Sequence, residues 1–267
     1  MVRTMAQPRA MILRAAGTNC DVETAYAFEL AGGKAERVHV NRVIENPSLL
    51  EEYQVFIIPG GFSYGDDIAA GKILANQLVH HLAEEIRRFI AADKLVLGIC
   101  NGFQVLVKTG ILPGINGPEN SSGNNTLQQA TITYNDSGKF EDRWVYLQPG
   151  TENCVFVEPT RRIYLPIAHG EGKVCFADQE VLQRVCEDGL VAFRYVDEQG
   201  EFGPYPINPN GSVENIAGLC DKTGRVMGLM PHPERFVHRT NHPQWTRRQI
   251  EEPDGLGIFR KAVQYFL

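Results

Sequence analysis

From Ala10 to Ile99, short unbroken apolar runs alternate with stretches whose apolar residues recur at three- and four-residue spacing. Ala10-Met11-Ile12-Leu13 predicts a buried strand, and a turn at Gly17-Thr18-Asn19 leads into a helix from Asp21 to Leu30. Asn19 or Asp21 is placed to cap that helix, because short polar side chains accept from the free N–H groups of a first turn. Gly32-Gly33 ends it. Strands follow over Ala35 to Val40 and over Val55-Phe56-Ile57-Ile58. One helix is expected from Asn76 to Ala91, with Leu78, Leu82, Ile86, Phe89 and Ile90 on its apolar face. Leu95-Val96-Leu97-Gly98-Ile99 is apolar throughout, as strands covered on both faces of a parallel sheet are. This alternation predicts right-handed βαβ units and an α/β class, an open mostly parallel sheet with helices on both faces.

The pattern changes after the Pro/Gly/Asn-rich stretch from Gly110 to Ser122. Ala130 to Tyr134, Arg143 to Leu147, Val155 to Glu158 and Ile163 to Ala168 predict strands without long helices between them. They imply an antiparallel layer added to the parallel sheet rather than a second domain. A strand from Val226 to Met230, a loop from Pro231 to Gly255 and a helix from Leu256 to Phe266 complete the reading. Residues 1–9 are polar and set aside as an N-terminal extension, leaving residues 10–267 as one domain.

Composition narrows the classes. The 267 residues are 43% apolar and 22% charged, as in ordinary globular proteins. No apolar run approaches the roughly 18 residues of a membrane span, and the N-terminus lacks the apolar stretch of a secretion signal. A cytoplasmic location without membrane contact is therefore expected. The net charge of −6 argues against a nucleic-acid partner, which requires clustered Lys and Arg. The six cysteines at 20, 100, 154, 175, 186 and 220 include no Cys-x-x-Cys pair, so a zinc knuckle is not indicated. Five of them read as reduced core residues; Cys100 stands apart.

Gly98-Ile99-Cys100-Asn101-Gly102 has the form Gly-x-nucleophile-x-Gly where a buried strand meets a helix. The helix N-terminus favours developing negative charge and thiolate, and the Asn101 N–H is placed to face an oxyanion. Alone, the pentapeptide reads equally well as a core cysteine at a strand end. Pro231-His232-Pro233-Glu234 follows the late strand, on the edge where open α/β sheets place their sites. Glu234, two residues on, can reach the imidazole and fix its tautomer. Alone, this too would read as a surface turn. Pro59-Gly60-Gly61-Phe62-Ser63-Tyr64-Gly65-Asp66 enters a glycine-rich turn after a third strand. It is not a phosphate loop: five residues separate Gly65 from Gly71-Lys72, and Ile73 stands where Ser or Thr belongs. Its free N–H groups instead suit an oxyanion hole. His238 and His242, four apart, read as a surface loop, and His80-His81 as one buried and one solvated helix position; no metal site is expected.

In this order and spacing, the three motifs resemble the class I (triad) glutamine amidotransferases, whose fold is flavodoxin-like. Cys before His-x-Glu separates the chain from α/β-hydrolases, where the acid precedes the histidine. Gly17-Thr18-Asn19-Cys20-Asp21, the Pro59 to Asp66 run and Ile167-Ala168-His169-Gly170-Glu171-Gly172 are similar to the glutaminase components of phosphoribosylformylglycinamidine synthases. The resemblance implies Cys100 as nucleophile, His232 as base and Glu234 as its orienter. It implies the Gly61 and Asn101 N–H groups at the oxyanion, Gln104 on the substrate amino acid, and His169 beside the ammonia exit. It implies L-glutamine as substrate and as partners a synthetase subunit and a small bridging subunit. No cofactor is expected on this chain; ATP and Mg²⁺ would bind the synthetase. The 110–128 and 236–255 stretches are longer than in short forms of the subunit. Two rivals remain at this stage: a stand-alone γ-glutamyl hydrolase or cysteine peptidase of the same fold, and an inactive regulatory subunit.

Overall fold

The structure, a computed structural model, describes residues 7–115 and 128–267. Strand β1 (Arg9–Arg14) passes into helix α1 (Asp21–Leu30), β2 (Lys34–His39), a short α2 (Val40–Glu45) and β3 (Val55–Ile58). Then come α3 (Lys72–His81), α4 (Ala83–Ala91), β4 (Leu95–Ile99) and α5 (Asn101–Lys108). The second half holds β5 (Ala130–Tyr134), β6 (Glu141–Pro149), β7 (Ile163–His169), β8 (Glu171–Phe176), α6 (Gln179–Glu187), β9 (Val191–Val196), β10 (Ile216–Cys220), β11 (Val226–Leu229) and α7 (Asp254–Gln264).

One nine-stranded sheet runs in the order β2-β1-β3-β4-β11-β10-β9-β6-β7. It is parallel from β2 to β11 and antiparallel beyond. The antiparallel layer expected from the sequence takes two forms. Four strands extend the main sheet in its own plane, and β5 with β8 forms a separate two-stranded ribbon. At the centre, Leu95, Val96, Leu97 and Ile99 of β4 are wholly buried, each contributing about 1.5–3 kcal/mol of burial.

Several expectations need correction. The helix read as Asn76 to Ala91 is two helices, because Leu82 leaves helical geometry (φ −133°, ψ 9°) while remaining buried, so the apolar period continues across the break. The second strand stops at His39, whose Nδ1 accepts from the Asn41 N–H (3.2 Å) and so starts α2 at Val40. Neither Asn19 nor Asp21 caps α1; Cys20 occupies that position. The Asp21 carboxylate instead takes Arg14 (2.7 Å) and Arg37 (3.2 Å), which compensates its burial. Val155 to Glu158 is not a strand: the Val157 N–H turns back to the Cys154 carbonyl. Helix α6 lies between residues 169 and 225, where no element was expected, and is capped by Asp178, whose side chain accepts from the Val181 N–H (2.8 Å). His80 and His81 are both exposed, since α3 buries Leu74, Ala75 and Leu78. Cys186 is exposed and Cys175 half-buried, so fewer cysteines are core residues than expected. Most of the 110–128 loop lies outside the described residues. Among the described residues no helix is long and apolar enough to cross a membrane.

Helix α5 lies so close to the sheet that a Cβ on Gly102 would sit 1.8 Å from the Ile58 carbonyl oxygen. Gly102→Ala is expected to lower unfolding stability by about 1–3 kcal/mol, the usual cost of overpacking. Chemical denaturation measures it, and an unchanged midpoint would mean that α5 and β3 are farther apart than described.

Candidate active site

Because β3, β4 and β11 are neighbours and parallel, their C-terminal ends open on one edge of the sheet. The turn after β3 carries Gly60 and Gly61, the end of β4 carries Cys100, and the end of β11 leads to His232. Cys100 takes φ 50°, ψ −104°, a region that costs a non-glycine residue about 1–3 kcal/mol. Two hydrogen bonds hold it there: Cys100 N–H to the Leu229 carbonyl (2.8 Å) and Gln104 N–H to the Cys100 carbonyl (3.1 Å). The flanking glycines of the motif make room, since a Cβ on Gly98 would meet the Gly102 carbonyl at 2.6 Å. The Cys100 thiol is nearly buried and lies 3.8 Å from the Ala168 carbonyl oxygen.

His232 and Glu234 are both buried, and the His232 N–H bonds the Pro166 carbonyl of β7 (2.8 Å). Nδ1 of His232 lies 2.6 Å from Oε1 of Glu234. A carboxylate accepts, so Nδ1 donates and Nε2 is the nitrogen left for proton transfer. The Cys100 and Cys20 thiols both lie against the ring, although Nε2 forms no well-aligned hydrogen bond. Burial works against a charged imidazole here, but the Glu234 carboxylate and then the Cys100 sulfur outweigh it. Together they hold His232 well above its ordinary pKa of 6.5.

The turn after β3 is fastened by Phe62 N–H to the Gly17 carbonyl (3.0 Å), Tyr64 N–H to Ala16 (2.7 Å) and Gly65 N–H to Phe62 (2.9 Å). Those amides are bonded within the protein, unlike the open amides of a phosphate loop. Gly61 has φ 134°, and a Cβ there would come 2.7 Å from the Asn19 amide nitrogen. Among the described residues the Gly61 N–H has no partner within the chain, and the Asn101 N–H belongs to the unbonded first turn of α5. The Asn101 side chain, not foreseen in a role of its own, clamps turn to helix. Its Oδ1 accepts from the Ser63 N–H (3.2 Å), and its Nδ2 donates to Asp66 (3.1 Å) and Gln104 (2.9 Å). Gln104 in turn donates to the Glu171 carbonyl (2.5 Å), joining α5 to the β5–β8 ribbon.

His169 shares a face of β7 with Leu165 and Ile167, the reverse of the face of Ala168. Its Nδ1–H bonds Asn135 Oδ1 (3.1 Å), which also accepts from the Gly172 N–H (3.0 Å), and the ring packs over Gly172. It reaches the site through the backbone turn that carries Glu171. Burial pushes its pKa down to about 3, with His232 adding to the effect.

His238 and His242 are not together. The Tyr26 hydroxyl lies 2.7 Å from Nε2 of His238, whereas His242 is buried with Trp144 (5.7 Å), Tyr164 (5.5 Å) and Phe236 (5.6 Å) instead of lying in an open loop. Cys20, from the Gly17 to Asp21 motif, stands beside His232 and Glu234, with one donor atom of each mutually within 4.8 Å. Its position after β1, a neighbour of β3, is the signal that could have placed it on this edge. The three carry donors of metal-binding type. A cation is disfavoured, because the Arg235 guanidinium lies 3.3 Å from the sulfur and Nδ1 already faces Glu234.

A strained cysteine on a strand–helix elbow, facing a buried His–Glu pair beside a glycine turn, defines a class I glutamine amidotransferase site. Residues 7–266 match the family model of the CobB/CobQ-like glutamine amidotransferase domain. The chain is 48% identical over 264 residues to the phosphoribosylformylglycinamidine synthase subunit PurQ of Dehalococcoides mccartyi, covering 98% of each. It is 44% identical over 277 residues to the PurQ subunit of Treponema denticola, covering 98% of this chain and 100% of that one. A chain in the structure of PurLQS from Thermotoga maritima superposes with a TM-score of 0.72 at 32% identity, covering 97% of this chain and 99% of that one. The chain belongs to the PurQ family of glutamine amidotransferases.

A base held neutral in the fold contributes stability that is full above its unfolded pKa and is lost as pH falls. For His169 the window runs from 6.5 down to about 3. His169→Gln is therefore expected to flatten the fall of stability across that window, measured by denaturant midpoints at a series of pH values. An unchanged slope would show that His169 is not held neutral.

Proposed function

We infer that this chain is the cytoplasmic glutaminase subunit of a phosphoribosylformylglycinamidine synthase. It hydrolyses L-glutamine to glutamate and ammonia. The ammonia passes to a synthetase subunit for ATP-dependent conversion of formylglycinamide ribonucleotide to formylglycinamidine ribonucleotide in de novo purine biosynthesis. A small bridging subunit completes the assembly, and ATP and Mg²⁺ belong to the synthetase. The observation that carries the chemistry is Cys100 on its elbow against the His232–Glu234 pair.

Cys100 passes its thiol proton to His232, and its sulfur attacks the side-chain carbonyl carbon of glutamine, forming a C–S bond. The carbonyl oxygen becomes an oxyanion facing the Gly61 and Asn101 N–H groups, each such donor worth about 3 kcal/mol of barrier. His232, charged as imidazolium beside Glu234, gives a proton to the amide nitrogen, the C–N bond breaks and ammonia leaves. Neutral His232 then takes a proton from water, whose oxygen attacks the thioester and releases glutamate. Gln104 meets the amino-acid end of the substrate, and the His169–Gly172 turn shapes the wall beside it.

Cys100→Ala is expected to abolish glutamine hydrolysis and glutamine-dependent amidine formation, while ammonia-dependent synthesis by the reconstituted complex continues. Normal turnover in that variant would sink the assignment. Glu234→Gln is expected to lower kcat by about two to four orders of magnitude with KM for glutamine changed by about threefold or less. Steady-state kinetics decide it, and an unaffected kcat would make Glu234 structural.

A further inference from the structure

We propose that Cys20 is a positioning residue of the glutaminase site, its thiol a spacer that keeps the Arg235 guanidinium off Glu234 so that the carboxylate acts on His232. This rests on the reading of Cys100, His232 and Glu234 as the catalytic groups.

Arg235 follows Glu234 directly in the turn Pro233–Arg235. The Glu234 Oε1 is taken by His232, but its Oε2 is buried with no partner. A guanidinium beside a free carboxylate oxygen ordinarily closes on it, the bidentate pair being the strongest geometry available. Here Arg235 is turned elsewhere: its Nε donates to Glu23 (3.1 Å) and its Nη2 to the Cys20 sulfur (3.3 Å). The same sulfur lies within 4.8 Å of a Glu234 oxygen and a His232 ring nitrogen. It is fixed from behind, since the thiol donates to Asn19 Oδ1 (3.3 Å) and the Cys20 N–H bonds the Gly60 carbonyl (3.3 Å). Imidazole and sulfur meet over Gly60, where a Cβ would come 2.8 Å from His232 Cε1 and 3.2 Å from the Cys20 sulfur. Burial pushes the Cys20 thiol pKa up, so it stays a neutral, weak acceptor for Arg235 and adds no charge of its own.

The charged and titratable groups around His232 are Cys100 from the start of α5, Cys20 from before α1, Glu234 and Arg235 from its own turn and His169 from β7. Glu23 of α1 faces Arg235. Without the sulfur, Arg235 reaches Glu234 Oε2, shares the carboxylate charge and weakens its hold on the imidazolium. The His232 pKa then falls, so activity is lost at lower pH on the alkaline side.

The test is the pH dependence of kcat/KM for glutamine, on the full chain alone and with its synthetase. Cys20→Ala is expected to move the alkaline limb down by about one pH unit and kcat down about tenfold, with KM within about twofold. Arg235→Gln alone should leave the limb in place, and Cys20→Ala with Arg235→Gln should return it. A purely structural role would make the double variant worse than either single one. If Cys20→Ala does not fold, Cys20→Ser carries the same test with a smaller shift. An unmoved limb in the folded Cys20 variant, or a limb still displaced in the double variant, overturns the proposal. Cys100→Ala in the same assay separates the two levels. If it retains turnover, the catalytic reading falls; if it is dead while the Cys20 variants match wild type, only the spacer falls.

Discussion

Helix α5 approaches the sheet so closely that neither Gly98 nor Gly102 has room for a side chain, and the left-handed backbone of Cys100 follows from that approach. A strand and a helix this close must be joined by a sharp turn, and the residue at its apex has its side chain thrown clear of both. Cys100 therefore stands at the edge of the sheet although all its neighbours are core. The cost of its φ is met by the buried apolar run of β4 behind it and by the Leu229 carbonyl beside it.

Strand order does the rest. With β4 between β3 and β11, the glycine turn and the histidine arrive on either side of the cysteine without any long connection being bent into place. Burial then sets the electrostatics. A hydrogen-bonded His–Glu pair shielded from water has few neighbours to answer to, so each one counts: the Cys100 sulfur, the Cys20 sulfur and the displaced Arg235. In a low dielectric such neighbours are felt more strongly than they would be in water.

The parallel half was legible because β1, β3, β4 and β11 are continuous apolar runs and α4 is amphipathic, while α1, with little apolar periodicity, is marked by the Gly32-Gly33 pair after it. The three motifs of the candidate site were legible because each directly follows such a run. The break at Leu82 was not, since Leu82 is buried in either geometry and the period shows no gap. Helix α6 was missed because its buried residues are few, Leu182 and Val185, between segments with strand character. Strands β9 and β10 pair across the sheet in a register with shifts, which sequence periodicity does not carry. The contacts that tune the site were hidden for a different reason. Arg235 and Cys20 are 215 residues apart, and Ser63 and Asn101 are 38 apart, so their meeting depends on strand order and not on local pattern.

Phe236, the residue after the Pro233–Arg235 turn, packs edge-on to Trp144 (5.3 Å) and beside His242 (5.6 Å), and is itself buried. The turn that holds His232 and Glu234 is thereby anchored at both ends, by β11 before it and by this aromatic cluster after it. A local opening of the turn would have to draw an aromatic ring out of the core. His232 and Glu234 therefore belong to the cooperative unit of the whole domain, where opening costs approach those of global unfolding. The Gly60–Gly61 turn is tied in by main-chain hydrogen bonds instead of side chains, Cys20 N–H to the Gly60 carbonyl and Phe62 N–H to the Gly17 carbonyl. The two flanks of Cys100 are thus held by different means, an aromatic anchor on one side and main-chain bonds on the other.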